Sequence, residues 1–172
     1  SGRFFFMTLN IQKNILLASY TTFKIGGPAK YFSEAKSIDE LRELCSWARL
    51  RGQVKEQGVP ILILGGGSNV LISDNGFNGL VIKIKFEDWQ MENAEIFSEA
   101  GLLLAKLVLE SAKNELAGLE WAMGIPGTVG GAINGNAGAF GKSMSEIVKK
   151  VNVFDITKSE MRIFNKEECG FG

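Results

Sequence analysis

The chain has 172 residues, 45% of them hydrophobic, and its 19 basic side chains are balanced by 19 acidic ones. This length and hydrophobic content allow a proper core, while the balanced charge gives no support for binding to nucleic acid or to an anionic membrane. Histidine is absent, which excludes a histidine general base, a histidine-activated nucleophile, a histidine-ligated metal and a histidyl-linked cofactor.

The first residues predict little regular structure. Residues 1–6 contain too short an apolar stretch for a signal peptide and lack a small-residue cleavage site. We interpret them as either native or a cloning remnant ahead of Met7. Residues 1–16 are therefore expected to be an N-terminal extension. Further along the chain, a short strand is predicted at Tyr31 and Phe32.

The first helix is predicted over residues 38–51. Ser37 and Glu40 have capping-box spacing, and Gly52 is the expected stop. An apolar face recurs at helical spacing, formed by Ile38, Leu41, Leu44, Cys45 and Ala48. Cys45 is therefore expected to be an inert core residue. It lies too far in sequence from Cys169 for a metal knuckle, and two thiols in all favour a reducing compartment.

Strands and a second helix follow. The apolar run of residues 60–64 predicts a strand covered on both faces, and residues 80–85 predict an alternating strand. The second helix is predicted over residues 102–116 with Gly118 as its stop. Its expected inward face is Leu103, Leu104, Leu107, Val108 and Ala112. Residues 148–156 and 161–164 predict a final hairpin, and no apolar run approaches the roughly 20 residues that cross a bilayer.

This order of elements predicts an α+β (mixed α/β) fold with two lobes. We place the first lobe at residues 17–85 and the second at residues 86–172. Glycine is concentrated within them: the chain has 21 glycines, of which thirteen fall in residues 65–79 and 118–141. These stretches carry one charged residue each, Asp74 and Glu120, and are rich in aliphatic side chains. They therefore favour tight, mostly buried turns over flexible linkers.

The first glycine motif directly follows the predicted buried strand, where ligand-binding loops often lie. It reads Leu64-Gly65-Gly66-Gly67-Ser68-Asn69-Val70-Leu71. Three successive glycines allow backbone N–H groups to converge on an anion, and Ser68 and Asn69 add side-chain donors. No lysine follows as in a P-loop, and Val70 stands where a dinucleotide fingerprint would have its last glycine. An ordinary tight turn is the alternative.

The second glycine motif covers residues 124–132 and continues through residues 134–141. Its glycines and alanines leave room for a large, flat ligand against bare backbone, and its charge-poor lining suits a cofactor shielded from water. The alternative is a packing loop without a ligand. A third segment, residues 22–29, is weaker, because a simple turn is as probable there as a ligand contact and Lys24 is expected to be a solvated charge.

These three segments occur in the order and spacing of a known family. Together they resemble the UDP-N-acetylenolpyruvoylglucosamine reductase family, flavoenzymes of bacterial peptidoglycan precursor synthesis, over nearly all of residues 17–172. The resemblance implies the bilobal FAD-binding fold of the vanillyl-alcohol-oxidase (PCMH) type, with FAD held non-covalently. It also implies a cytoplasmic reductase that uses NADPH to convert a small-molecule substrate, UDP-N-acetylenolpyruvoylglucosamine, to UDP-N-acetylmuramate.

The resemblance also assigns roles to residues of this chain. The diphosphate of FAD would lie on Gly65, Gly66, Gly67, Ser68 and Asn69. The flavin and its phosphoribityl arm would be lined by Gly124, Ile125, Pro126, Gly127, Thr128, Gly130, Gly131, Asn136, Ala137, Gly138 and Ala139.

Two departures from the family pattern matter. Phe140 stands where the family commonly has tyrosine, so one hydroxyl is missing. The family's Tyr-Arg segment, its serine proton donor and its glutamate would all lie beyond Gly172. We therefore expect the chain to be the FAD-binding portion, truncated before a substrate domain and without catalytic residues of its own.

Two other functions stay open at this point. One is a different flavin oxidoreductase of the same fold. The linked set of three motifs argues against this alternative. The other is a non-catalytic module that binds a nucleotide or another cofactor, which explains the glycine loops and the missing acid–base pair equally well. Purely structural glycines would predict no ligand at all.

We expect the isolated chain to bind FAD weakly and to catalyse no turnover, because the groups that protonate the substrate are not in it. Flavin absorbance of the protein with added FAD and NADPH oxidation in the presence of the enolpyruvyl substrate measure the two properties. Reduction of that substrate by this chain alone would contradict the prediction.

Overall fold

The computed structural model describes residues 9–51 and 58–171. Residues 1–6 and Gly52, the expected helix stop, lie outside this part of the chain. Two compact units follow each other in sequence, the first ending at Lys85 and the second beginning at Phe86. Within the described residues, no helix combines the length and the apolar character needed to cross a membrane.

The first unit is built on a four-stranded sheet with the strand order β1-β2-β4-β3. Its strands are β1 (Gln12–Leu16), β2 (Pro28–Ala35), β3 (Ile61–Leu64) and β4 (Phe77–Ile84). Strand β1 pairs antiparallel with β2, whereas β2 and β3 both run parallel to β4. The interior strand β4 is covered on both faces, since Leu80, Val81 and Ile82 are all inaccessible to solvent.

Three strand predictions need correction. Residues 60–64 were expected to be covered on both faces, but β3 lies at the sheet edge and Ile63 is 41% exposed. The predicted strand at Tyr31 and Phe32 extends over the whole of β2. Strand β1 lies inside the expected N-terminal extension, because its sequence does not alternate clearly and its pairing with β2 defines it.

Helix α1 (Ile38–Leu50) covers one face of this sheet through Leu41, Leu44, Cys45 and Ala48, as the periodicity predicts. Only half of the predicted capping box forms. The Ser37 hydroxyl accepts the N–H of Glu40 at 3.1 Å, but the Glu40 carboxylate accepts the N–H of Lys36 at 2.7 Å. Burial raises the pKa of the Cys45 thiol, which keeps it protonated and unreactive.

The opposite face of the sheet carries a separate apolar cluster. Adjacent strand residues point to opposite faces: the ring of Tyr31 meets Trp47 of α1, while Phe32 joins the other cluster. Its buried members are Leu17, Ala29, Phe32, Leu64, Ile72 and Val81. Tyr20, at the end of the 3-10 turn Leu17–Tyr20, packs against Phe32 in a tilted arrangement with ring centroids 4.4 Å apart.

The second unit combines hairpins with short helices. Its strands are β5 (Trp89–Glu92), β6 (Glu95–Ser98), β7 (Gly138–Ala139), β8 (Lys142–Ser143), β9 (Lys150–Asp155) and β10 (Glu160–Asn165). Its helices are α2 (Leu104–Lys113), α3 (Val129–Asn134) and α4 (Met144–Ile147), with 3-10 turns at Glu120–Ala122 and Lys166–Cys169. The predicted final hairpin is confirmed as β9 and β10, which pair antiparallel.

The core of this unit forms between α2, α3 and the turn before α3. Its buried members are Leu102, Leu104, Leu107, Val108, Trp121, Ala122, Val129, Ala132 and Met144. Helix α2 is shorter than predicted: Leu103 lies before it and is 56% exposed. Ala112 is also exposed, because Ser111 takes the buried position and donates its hydroxyl to the Val108 carbonyl at 3.1 Å.

The end of α2 also differs from the prediction. The helix ends at Lys113, and the left-handed Glu115 (φ 58°) rather than Gly118 turns the chain away from the helix axis. The N–H of Leu116 then donates to the carbonyl of Ser111 at 2.9 Å. This bond satisfies one of the helix's terminal carbonyl groups without a glycine cap.

Alanine substitutions at two glycines with the same φ separate the cost of steric overlap from the cost of backbone strain. Gly76 and Gly141 both have φ 77°, but a Cβ at Gly76 would overlap the carbonyl oxygen of Pro28, whereas Gly141 has no atom within 4 Å of that position. Gly141→Ala should cost about 1–2 kcal/mol through strain alone. Gly76→Ala should cost about 2–5 kcal/mol, since steric overlap adds to the strain.

Urea unfolding followed through amide NMR signals of the unit that holds each substitution measures both free energies. Equal losses for the two variants would contradict the role assigned to the Pro28 contact.

Candidate functional site

The first candidate loop, residues 65–69, begins where β3 ends and is attached to the first unit through two of its carbonyl groups. The Gly65 carbonyl accepts a hydrogen bond from the ammonium of Lys83 at 3.1 Å. The Gly67 carbonyl accepts the N–H of Thr22 at 2.9 Å. These bonds hold the loop at both ends of its glycine triplet.

The middle of this loop lies against bare backbone. Gly67 is buried and has φ 72°, and a Cβ there would overlap the carbonyl oxygen of Tyr20. Any other residue would therefore meet both a steric overlap and an unfavourable backbone conformation. The glycine at this position is explained by packing, whatever the loop binds.

The N–H groups of the loop show a different property. Within residues 9–51 and 58–171, those of Gly66, Gly67 and Asn69 donate to no protein acceptor. Backbone donors of folded proteins are nearly always paired, so such groups are satisfied by water or by a ligand. Several neighbouring N–H groups without internal acceptors are typical of an anion-binding concavity.

Residues 22–29, the weakest of the three predicted motifs, form part of the frame around this loop. The N–H groups of Gly27 and Gly76 both donate to the carbonyl of Ser73, each at 2.8 Å. A Cβ at Gly27 would overlap the carbonyl oxygen of Asp74. The segment therefore packs backbone against backbone on residues 73–76, while Thr22 bonds to the candidate loop.

Lys83 is the residue near this loop that the sequence reasoning missed. Its register partner across the sheet is Leu64, the residue before the loop, and its ammonium lies 5.8 Å from the centroid of the Tyr20 ring. The available signal was a lysine within the otherwise buried run of β4.

The second unit places the other predicted residues on consecutive segments. Gly124, Ile125, Pro126 and Gly127 form the loop before α3, and Thr128 caps that helix by accepting the N–H of Gly131 at 3.3 Å. Gly130 and Gly131 lie within α3. Asn136 and Ala137 follow α3, and Gly138 and Ala139 form β7.

Most backbone donors of this second region are already paired. The N–H of Val129 donates to Leu102 at 2.8 Å, that of Gly130 to Ala100 at 2.9 Å and that of Ala137 to Ala132 at 2.8 Å. The region therefore offers small side chains and backbone surface rather than a cluster of donors. Such a surface suits an uncharged, flat group better than an anion.

The two glycines of α3 differ in what surrounds them. A Cβ at Gly130 would lie 2.7 Å from the Cβ of Ala100, so internal packing accounts for this glycine. At Gly131 the nearest atom to a Cβ would be the Thr128 hydroxyl oxygen at 3.4 Å, an ordinary contact distance. Gly131 is exposed, and nothing within the described residues requires a glycine there.

Asn136 and Phe140 lie around the hairpin of β7 and β8. The Asn136 amide oxygen accepts the N–H of Ser145 at 3.0 Å, so this predicted ligand contact also holds the start of α4. Phe140, the position at which the resemblance led us to expect tyrosine, is at the turn of the hairpin, 90% exposed with φ 54°. An aromatic residue in this conformation is uncommon.

Glu120 supplies the acidic charge of residues 118–141. Hydrogen bonds from its own backbone N–H and from the N–H of Gly118 lower the pKa of its carboxyl group, with a smaller contribution from Lys142. The Gly118 bond measures 2.9 Å. Glu120 is therefore ionised at neutral pH and is not suited to donate a proton.

Comparison with known proteins identifies the family of the chain. Residues 29–163 match a family model described as an FAD binding domain. A UDP-N-acetylenolpyruvoylglucosamine reductase of Synechococcus sp. (strain JA-3-3Ab) is 43% identical over 155 residues, which cover 89% of this chain and 48% of the relative. The UDP-N-acetylenolpyruvoylglucosamine reductase of Carboxydothermus hydrogenoformans is 40% identical over 163 residues, which cover 94% of this chain and 52% of the relative.

Solved structures extend the comparison to the fold. The crystal structure of UDP-N-acetylenolpyruvylglucosamine reductase from Thermus caldophilus superposes with a TM-score of 0.77 at 33% identity, over 95% of this chain and 55% of that one. A solvent-stable cholesterol oxidase, 15% identical, superposes with a TM-score of 0.66 over 91% of this chain and 33% of its own. The predicted vanillyl-alcohol-oxidase-type fold class is confirmed.

The resemblance inferred from the three motifs is also confirmed. The chain spans about half the length of the curated relatives that it matches. Its family model, by contrast, covers residues 29–163, well over half of the 172 residues. The chain belongs to the FAD binding domain family.

Proposed function

We propose that this chain is the FAD-binding portion of a UDP-N-acetylenolpyruvoylglucosamine reductase, an enzyme that reduces UDP-N-acetylenolpyruvoylglucosamine to UDP-N-acetylmuramate with NADPH. Its two lobes are residues 17–85 and 86–172. The substrate assignment is supported by the shared name of relatives 36–43% identical to this chain. Cofactor binding is supported by the family and by the geometry of the candidate loop.

The observation that carries the proposal is the set of loop donors without internal acceptors. A diphosphate has only acceptor oxygens, so it can pair with the N–H groups of Gly66, Gly67 and Asn69. Side-chain donors of Ser68 and Asn69 lie within the same loop. Residues 65–69 contain no acidic side chain that would repel such an anion, so the residues present fit the diphosphate of FAD.

In the second unit, we assign the flavin and its phosphoribityl arm to the region around α3. The residues are Gly124, Ile125, Pro126, Gly127, Thr128, Gly130, Gly131, Asn136, Ala137, Gly138 and Ala139. The exposed backbone at Gly131 allows close approach of a flat ring system, and the paired donors of the neighbouring segments leave few polar groups to be desolvated.

FAD, when bound, supplies hydride transfer from NADPH to the enolpyruvyl double bond. The residues of this chain bind and orient the cofactor and limit the access of water to it. No residue of the chain is assigned a proton-transfer role. Glu120 stays ionised, the Cys45 thiol is buried, and histidine is absent.

Amide NMR titrations with three ligands test the two assignments separately and detect weak binding. ADP, which carries the diphosphate without flavin, should shift the signals of Gly66, Gly67 and Asn69. Riboflavin, which carries the flavin without phosphate, should shift those of Gly131 and its neighbours. FAD, which carries both groups, should shift both sets.

Each outcome of these titrations has a defined meaning. If FAD leaves the signals of residues 65–69 unchanged, the proposed cradle is wrong. If ADP binds there but neither riboflavin nor FAD shifts any signal near α3, the chain is a nucleotide-binding module and the flavin assignment fails.

A matched pair of substitutions tests the assignment of α3. Gly131→Ala adds a methyl group where the protein itself has room, so the fold should persist, but FAD should bind about tenfold more weakly because the methyl group holds the ring away. Gly135→Ala adds the same group 3.5 Å from the Gly131 carbonyl oxygen, outside the assigned surface. FAD affinity from flavin fluorescence should be unchanged in this control; equal affinities in the two variants would contradict the assignment.

A further inference from the structure

Lys83 occupies an unusual place for a lysine. It lies on β4, beside Leu64 of β3, and two residues after the fully buried Val81. Alternate strand residues share a face, so Lys83 lies on the face of the Leu17–Phe32–Val81 cluster and is itself half-buried. A cation is costly to keep in such surroundings unless its environment compensates for the lost hydration.

The ammonium group contacts both parts of the frame that holds residues 65–69. It donates to the Gly65 carbonyl at 3.1 Å and lies 5.8 Å from the centroid of the Tyr20 ring, within the range of a cation–π contact. Tyr20 is also the residue whose carbonyl oxygen meets the backbone of Gly67. Lys83 therefore connects the first glycine of the loop to the segment against which the third one packs.

The bond to Gly65 has a consequence for the next donor. In a trans peptide unit the C=O and the following N–H point in opposite directions, and the described chain contains no cis peptide bond. With the Gly65 carbonyl directed at Lys83, the N–H of Gly66 is directed away from Lys83. That N–H is one of the three loop donors for which the described residues provide no acceptor.

The positive charge of Lys83 favours an anionic ligand, as does the orientation of the Gly66 N–H. An ammonium bonded to the first carbonyl of a short loop raises the electrostatic potential over the whole loop, and partial burial reduces its screening by solvent and salt. It also offsets the negative end of the Gly65 carbonyl dipole, which would otherwise oppose an anion. Both effects favour a ligand that carries phosphate groups.

We infer that Lys83 is a positioning residue of the diphosphate-binding loop: its ammonium fixes the Gly65 carbonyl, orients the Gly66 N–H toward the ligand and supplies a positive charge behind the anion. The inference rests on the proposed FAD-binding function of residues 65–69. It makes affinity for the phosphate-bearing part of the cofactor depend on a side chain outside the glycine motif.

Inorganic pyrophosphate tests this inference without the flavin. Amide signals of Gly66, Gly67 and Asn69 report its dissociation constant in the wild-type chain and in Lys83 variants. Lys83→Met should weaken pyrophosphate binding about five- to tenfold at low salt, whereas Lys83→Arg should retain affinity within about twofold, because arginine keeps the charge and can bond the Gly65 carbonyl.

Three controls separate a positioning role from general damage. Lys85→Met removes the same charge from an exposed side chain two residues along the chain, and it should leave affinity unchanged. The salt dependence of binding should be shallower for Lys83→Met than for the wild type. The amide signals of helix α1, which belongs to the same unit as Lys83, should keep their wild-type positions in all variants, a result that misfolding of that unit would not produce.

The outcomes distinguish this inference from the proposed function. If wild-type loop amides respond to pyrophosphate but Lys83→Met binds it as tightly, the role of Lys83 is refuted and the cradle stands. If the wild-type amides respond to neither pyrophosphate nor FAD, the proposed function fails and the inference fails with it. Should Lys83→Met not fold, Lys83→Gln, which keeps a donor without the charge, takes its place, and wild-type affinity in it would refute the electrostatic part.

Discussion

The candidate loop depends on one steric constraint, the contact of bare backbone at Gly67 with the carbonyl of Tyr20. A single added methyl group would push the loop off the segment on which it rests and would break the bond from Thr22 to the Gly67 carbonyl. Two of the loop's carbonyl groups are held by this segment and by Lys83, while the N–H groups of Gly66, Gly67 and Asn69 donate to no acceptor among the described residues. The absence of a side chain at Gly67 thus allows the close backbone contact that holds the loop in this conformation.

Glycine serves different purposes in the two units. In the first it allows backbone segments to meet, as at Gly27 against Asp74 and at Gly67 against Tyr20. The N–H groups of Gly66, Gly67 and Asn69 have no acceptor among the described residues. In the second, Gly130 brings α3 close to Ala100 while the surrounding N–H groups pair internally. One loop therefore presents donors suited to an anion, and the other presents a smooth surface suited to an apolar ring. FAD contains both kinds of group, so each region, taken by itself, suits one part of the proposed cofactor.

The two glycine-rich stretches, residues 65–79 and 118–141, contain one charged residue each. The net charge of the chain is zero, so attraction of an anion cannot come from an overall basic surface. It has to come from oriented peptide dipoles and from local cations such as the half-buried Lys83. A cation held by a carbonyl acts at short range and is partly shielded from salt, which suits recognition of one phosphate-bearing ligand better than general attraction of polyanions.

The sequence by itself determined the fold class, the helix at Ile38–Leu50, the final hairpin and the two glycine-rich regions, because these depend on local periodicity, turn chemistry and motif spacing. It did not determine that β3 is an edge strand or that β1 joins the sheet, since strand order depends on pairings between distant segments. Nor could it separate Gly130 from Gly131, or assign Lys83 to the loop, because identical residue types in one motif differ only in what the folded chain places beside them. Local pattern therefore identified where a ligand was to be expected, and only the tertiary contacts decided which N–H groups of the loop have no acceptor among the described residues.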